Sequence, residues 1–176
     1  RIIHACWHKA SLGVLAPFLD EQARIKPSSW GTLTRKGTEP YEAIETVLKG
    51  LEIPLPSGYE FLDKDRHVRR HIRTQWWKSD YRTYRDLAEV PPDVLEQIPH
   101  GPVPADLMPG YEGDKLLFVG HYWQTGMPQP LSSHIACLDY SIAAKDTKAA
   151  HAKGKLCAYR WHGERMLLQS GFVWVD

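Results

Sequence analysis

Cysteine is scarce in this 176-residue chain: Cys6, Cys137 and Cys157 are the three present, an odd number with no C-x-x-C spacing. A disulfide framework and a cysteine zinc site are therefore not expected, and a reducing, cytoplasmic setting is. Charge of one sign is lacking too. Lys and Arg number 22 against 21 Asp and Glu, so the net +1 exerts no general pull on nucleic acid or a membrane surface. No apolar run approaches the ~18 residues of a spanning helix, and the opening Arg1 to His8 has no signal-peptide layout, so no membrane partner is expected. Neither G-x-G-x-x-G nor G-x-x-x-x-G-K-[ST] occurs, which removes the two commonest phosphate-cradling loops and disfavours a doubly wound nucleotide fold. Internal repeats and low-complexity segments are absent as well.

What is present reads as a globular domain, with 43% hydrophobic and 24% charged residues. The first residue is Arg rather than Met, and Ile2 and Ile3 already read as strand, so a fragment or processed product is expected. Residues 11–24 are weakly helical. Ala43, Ile44, Val47 and Leu48 recur at three- and four-residue steps between Pro40 and Gly50, which predicts a helix with a glycine cap. Pro54, Pro56 and Gly58 make 51–59 an extended loop that cannot be a central strand. Pro91 and Pro92 open a short helix over 93–98, and 99–113 is a Pro- and Gly-rich loop. Strands follow at 116–119, 135–140, 156–161, 166–169 and 172–175, with His162, Gly163 and Glu164 as a hairpin turn between the third and fourth. The expected class is α+β with a mostly antiparallel or mixed sheet, in one domain over 1–176 with a helical and loop insertion at 27–113 and the strands at 114–176.

His4 and His121 are the leading candidates for chemistry. Each follows an apolar run directly, so each is delivered to a loop by the end of a strand. If those strands are neighbours, both imidazoles can converge on one metal, with Gly120 allowing a sharp bend; otherwise they cap strand ends. Asp139 stands in an otherwise apolar stretch and needs a partner, either a metal-ligand histidine that it orients or the turn that it caps. His67 and His71 have a chelating i, i+4 spacing, but arginines surround them. Residues 64–85 hold eight basic and two acidic residues, and Arg66, Arg69, Arg70 and Arg73 form a cationic face at helical spacing, followed by Trp76 and Trp77. Such a face suits an anion or a stacked base, or is simply solvated. Cys6 between His4 and His8 lacks the orienting group of a nucleophile.

Ile3-His4-Ala5-Cys6-Trp7, Phe118-Val119-Gly120-His121-Tyr122-Trp123, Ala136-Cys137-Leu138-Asp139-Tyr140 and Gly154-Lys155-Leu156-Cys157-Ala158-Tyr159-Arg160-Trp161, in that order, resemble the C-terminal half of calcineurin-like metallophosphoesterases. The branch is that of diadenosine tetraphosphatases and serine/threonine phosphatases, and Leu48 to Glu52, Leu55 to Gly58, Arg73, Trp76 and Trp77 are similar to it as well. The resemblance implies half of a four-layer αββα sandwich with a mixed sheet, and a two-metal site that activates hydroxide for attack on phosphorus. His4 and His121 would ligate metal, Mn²⁺ foremost, with Fe, Zn or Ni as alternatives. Asp139 would orient a ligand, and Arg70, Arg73 and Tyr122 would hold the substrate, which is a small phosphoester, a dinucleotide or a phosphoprotein. The family's motifs G-D-x-H-G, G-D-x-x-D-R-G and G-N-H-E are absent. The chain is thus expected to be inactive alone, with the missing N-terminal half of the domain as its partner. Residues 143–153 are longer than the family's turn and read as a surface loop. The alternative function is a noncatalytic nucleotide or nucleic-acid module using the 66–77 face, although the charge balance makes a nucleic-acid partner the lesser expectation.

Overall fold

The computed structural model describes residues 1–63, 65–108, 110–143 and 154–176, so Lys64 and most of the loop expected at 143–153 lie outside the described residues. The elements are mixed α and β with small sheets, which agrees with the expected α+β class. Contacts divide the chain into two compact units, Trp7–Tyr111 and Arg1–Cys6 with Glu112–Asp176. No helix among the described residues is long and apolar enough to cross a membrane.

The Trp7–Tyr111 unit is built on helices α1 (Lys9–Leu15), α2 (Trp30–Leu33) and α3 (Glu39–Lys49). Helix α1 is shorter than the pattern over 11–24 suggests, because Pro17 converts the following turn to a 3₁₀ segment. Helix α3 matches its expected pattern: Ala43 and Ile44 are buried, Val47 packs beside them against Leu15 and Leu33, and Gly50 closes the helix at φ +96°. Strand β1 (Glu52–Pro54) corrects the expected loop. It pairs antiparallel with β4 (His71–Arg73), burying Ile53 against Ile72. Pro54 is tolerated because the sheet has two strands and therefore only edges. Strands β2 (Phe61–Leu62) and β3 (Val68–Arg69) form a second small ladder. Short helices α4 (Tyr84–Leu87) and α5 (Pro92–Leu95) complete the unit, α5 beginning where the prolines predict and ending early.

In the other unit, β5 (Leu117–Val119) runs parallel to β6 (Ile135–Cys137), register Leu117↔Ile135 to Val119↔Cys137. Strands β7 (Asp139–Tyr140), β8 (Lys155–Tyr159) and β9 (Phe172–Val175) form an antiparallel sheet in the order β7-β8-β9. A core cluster of this unit is Ala136, Leu167 and Phe172, with Phe118, Leu138, Cys157 and Tyr159 packed against it. Glycine is needed at Gly171, where an added Cβ would lie 2.5 Å from the Tyr159 ring. The strand expected at 166–169 does not form. Leu167 N donates to Ser133 O and Leu168 N to the Tyr159 hydroxyl, so these donors go to loop and side-chain acceptors, and β8 pairs with β9 instead.

Candidate metal centre

His4 and His121 stand at the carboxyl ends of adjacent chain segments. Ile3 N donates to Phe118 O at 3.1 Å, Phe118 N to Arg1 O at 3.0 Å and Gly120 N to His4 O at 2.9 Å, so residues 1–4 run parallel to β5 as β5 does to β6. Parallel strands open their carboxyl ends on one edge, the place where ligands bind such sheets. His4 follows the first segment, His121 the second and Asp139 the third.

The two imidazoles meet there. Their centroids are 5.3 Å apart, with the ring planes inclined at 59°. An ion about 2.1 Å from a nitrogen of each ring, at a tetrahedral angle, puts two imidazole centroids roughly 5 Å apart. The separation of the pair matches that of two imidazoles on one borderline divalent ion, and His4 is exposed and His121 half-buried. Among the described residues no third His, Cys, Asp or Glu joins them in a compact ligand group.

The loop after β5 is held tightly. Tyr122 N donates to Gly120 O at 2.9 Å across His121, whose φ is +72°. The sharp bend thus falls on His121 itself and not on Gly120, where an added Cβ would meet only ordinary contacts at 3.8 and 3.9 Å. Holding a non-glycine residue in this region costs about 1–3 kcal/mol, a burden that clusters at functional sites. Tyr122 is the anchor: it is buried, and its hydroxyl donates to Ala5 O at 3.2 Å. That bond gives Tyr122, expected at the substrate, a structural contact to the first segment. Gln124 N donates to Asp139 O at 2.9 Å, and Ser141 Oγ to Gln124 O at 3.1 Å.

Asp139 resolves toward the turn cap of its two options, since Oδ1 accepts from Ser141 N at 3.1 Å. Its Cβ lies close under Gly120, so the cap supports the same loop edge. Cys137 is fully buried, and its Sγ reaches toward Gly120 O at 3.7 Å. Burial pushes this thiol up to about 11, which keeps it protonated and unreactive at neutral pH. A mostly apolar cleft of about 730 Å³ runs beside the segments, with His4, Phe118, Leu138 and Tyr159 in its lining.

The arginine candidates belong to the Trp7–Tyr111 unit, and the helical face expected of them is replaced by strands. Arg66 occupies a turn at φ +62°, Arg69 is in β3 and Arg73 in β4, so the four do not lie on one helix, although Arg69 and Arg73 line one cleft. Arg70 pairs with Glu60 at 3.1 Å, Arg73 with Glu52 at 3.3 Å and Arg69 with Asp63 at 2.8 Å. These pairs are local neutralisation of the basic stretch. His67 and His71 lose their helical spacing for the same reason. Trp76 is 2% exposed and packs edge-on against Trp77 at 6.0 Å. His8 caps α1 through Ser11, and its burial lowers its proton affinity.

His67 groups not with His71 but with Asp63 and Asp65, in a cluster that the residue spacing did not point to. Its geometry is that of a turn: Asp63 Oδ1 accepts from Asp65 N and His67 N, each at 2.9 Å, and Oδ2 accepts from Arg69 Nε. The backbone bond from His67, with Arg69, holds the Asp63 carboxyl below its ordinary value. Trp123 stands at the end of the Phe118 to Trp123 motif, and the sequence alone assigned it no role. The only sequence signal for it is its place two residues past the Gly-His pair. No protein-family model, curated protein or solved structure matches this chain.

Proposed function

We propose that the chain carries part of the metal centre of a metal-dependent phosphoesterase, with His4 and His121 as ligands of one divalent ion. The observation that carries this reading is the convergence of the two imidazoles at 5.3 Å on the carboxyl edge of parallel segments. The resemblance to calcineurin-like metallophosphoesterases supplies the rest: the αββα sandwich, a second metal, and Mn²⁺ as the foremost choice. When bound, such an ion polarises a phosphoryl oxygen and provides hydroxide near neutral pH. The chain's own contribution is to hold two imidazoles at a fixed separation. Tyr122, Gln124 and the Asp139–Ser141 cap keep His121 in its strained turn. Two imidazoles leave much of a metal's coordination to other groups, so full activity calls for the ligands that the family's G-D and G-N-H-E motifs provide.

The noncatalytic module on residues 66–77 receives less support, because Arg70 and Arg73 are paired with acids and Trp76 is buried. The test is Mn²⁺-dependent hydrolysis of p-nitrophenyl phosphate by the protein carrying this chain, with His121→Ala beside the parent. Activity that needs Mn²⁺ and collapses in the variant supports the reading. Activity unchanged by either contradicts it.

A further inference from the structure

We infer that Trp123 is a specificity-determining residue that stacks on a planar aromatic group carried by the phosphoester, an inference that rests on the phosphoesterase reading of His4 and His121. Trp123 is 64% exposed, although an indole gains most by burial. Its φ is +42°, in the left-handed region that a non-glycine residue occupies only at a cost. A glycine would relieve that cost, and a polar residue would relieve the exposure.

Disorder is not the reason for either feature, because both flanks are tied. On one side Tyr122 is buried, with its hydroxyl on Ala5 O at 3.2 Å. On the other Gln124 N donates to Asp139 O at 2.9 Å, and Gln124 Nε2 reaches back across Trp123 to Tyr122 O at 3.3 Å. The indole itself takes part in no hydrogen bond or ring contact among the described residues. The loop therefore presents a free aromatic face from a fixed backbone.

The position of that face suggests what it takes. Trp123 follows His121 by two residues, at most ~7 Å of chain, so a ligand whose phosphate is held at the two histidines has its next group within reach of the indole. A flat ring there gains stacking that a sugar or alkyl group does not. Two sources share this chemistry: a base separated from the phosphate by a ribose, and an aryl group bonded directly to the phosphate oxygen.

The experiment measures affinities of the Mn²⁺-supplied protein for adenosine 5′-monophosphate against ribose 5-phosphate, and for phenyl phosphate against ethyl phosphate, in the parent, Trp123→Ala and Trp123→Phe. Mn²⁺ binding is followed separately, with His121→Ala as its control. The expected result is a preference of about tenfold for the aromatic member of one pair, lost in Trp123→Ala and largely kept in Trp123→Phe, with Mn²⁺ binding unchanged. The pair that shows it identifies the source of the ring. Equal affinities within both pairs, or a preference that survives Trp123→Ala, overturn the inference and leave the metal reading standing if Mn²⁺ still depends on His121. A Trp123-dependent preference without His121-dependent Mn²⁺ binding overturns the metal reading and keeps the aromatic site.

Discussion

The two compact units both pair charges locally, Lys155 with Asp176 in one of them, but they differ in what they leave at their strand ends. In Trp7–Tyr111 the conspicuous cations are matched locally: Arg69 with Asp63, Arg70 with Glu60, Arg73 with Glu52 and Lys49 with Glu45. Arg85 donates to the carbonyls of Glu96 and Ile98, and Thr83 and Asp86 close a capping box on α4. In the other unit an exposed imidazole, a strained histidine and an exposed tryptophan lie within a few residues of strand ends. Density of charge in a sequence is thus a poor guide to a site. Groups left facing outward from a fixed backbone are a better one.

Substitutions sharpen this contrast. The largest expected effect is on the scaffold beneath the histidines. Leu117→Ala removes a fully buried side chain from β5 and should cost about 2–5 kcal/mol in a urea melt. A loss under 1 kcal/mol would mean that β5 is not the support of this edge. Next is Thr83→Ala, which opens the capping box and should cost about 1 kcal/mol by the same melt. An unchanged midpoint would remove the cap from the account.

A smaller, pH-dependent effect is expected at Glu89. Burial pushes its carboxyl above the ordinary value, and Oε2 is buried without a hydrogen-bond partner among the described residues. The folded state therefore binds this proton more tightly than the unfolded state does. The ionised form costs stability as pH rises from the unfolded value, about 4.3, through the raised folded one. Glu89→Gln should accordingly be more stable than the parent at pH 7 and not at pH 4. Parallel stability curves at both pH values would contradict this. Smallest of all, Arg70→Ala breaks an exposed pair and should change stability by less than ~0.5 kcal/mol, with no loss of phosphate affinity. A marked loss of phosphate binding would restore Arg70 as an anion ligand.

How much of this was legible in the sequence depends on the kind of signal. Helix α3 was, because Ala43, Ile44 and Val47 repeat on one face between a proline start and a glycine stop. Strands β5, β6, β8 and β9 were, as apolar runs between turn residues. The 66–73 stretch misled, since arginines at three- and four-residue steps imitate a helical face, whereas Ile53 against Ile72 sets a ladder that only the folded pairing reveals. The closeness of His4 and His121 depended on which strands are neighbours, a long-range fact that the residue types leave open. The bend at His121 was assigned to Gly120, because glycine is the usual residue for it and backbone strain leaves no mark in composition. Tyr122 was expected at the substrate through the resemblance alone, and its hydroxyl donates to Ala5 O.

The most direct test of the central claim is Mn²⁺ titration of the histidine ring resonances by NMR. Among the nine histidines, paramagnetic broadening should strike His4 and His121 first and together, and His121→Ala should weaken it at His4 by more than the roughly tenfold that loss of an outer partner costs. Broadening that begins at His67 or any other histidine, or that persists unchanged at His4 in the variant, would contradict a metal centre on this edge.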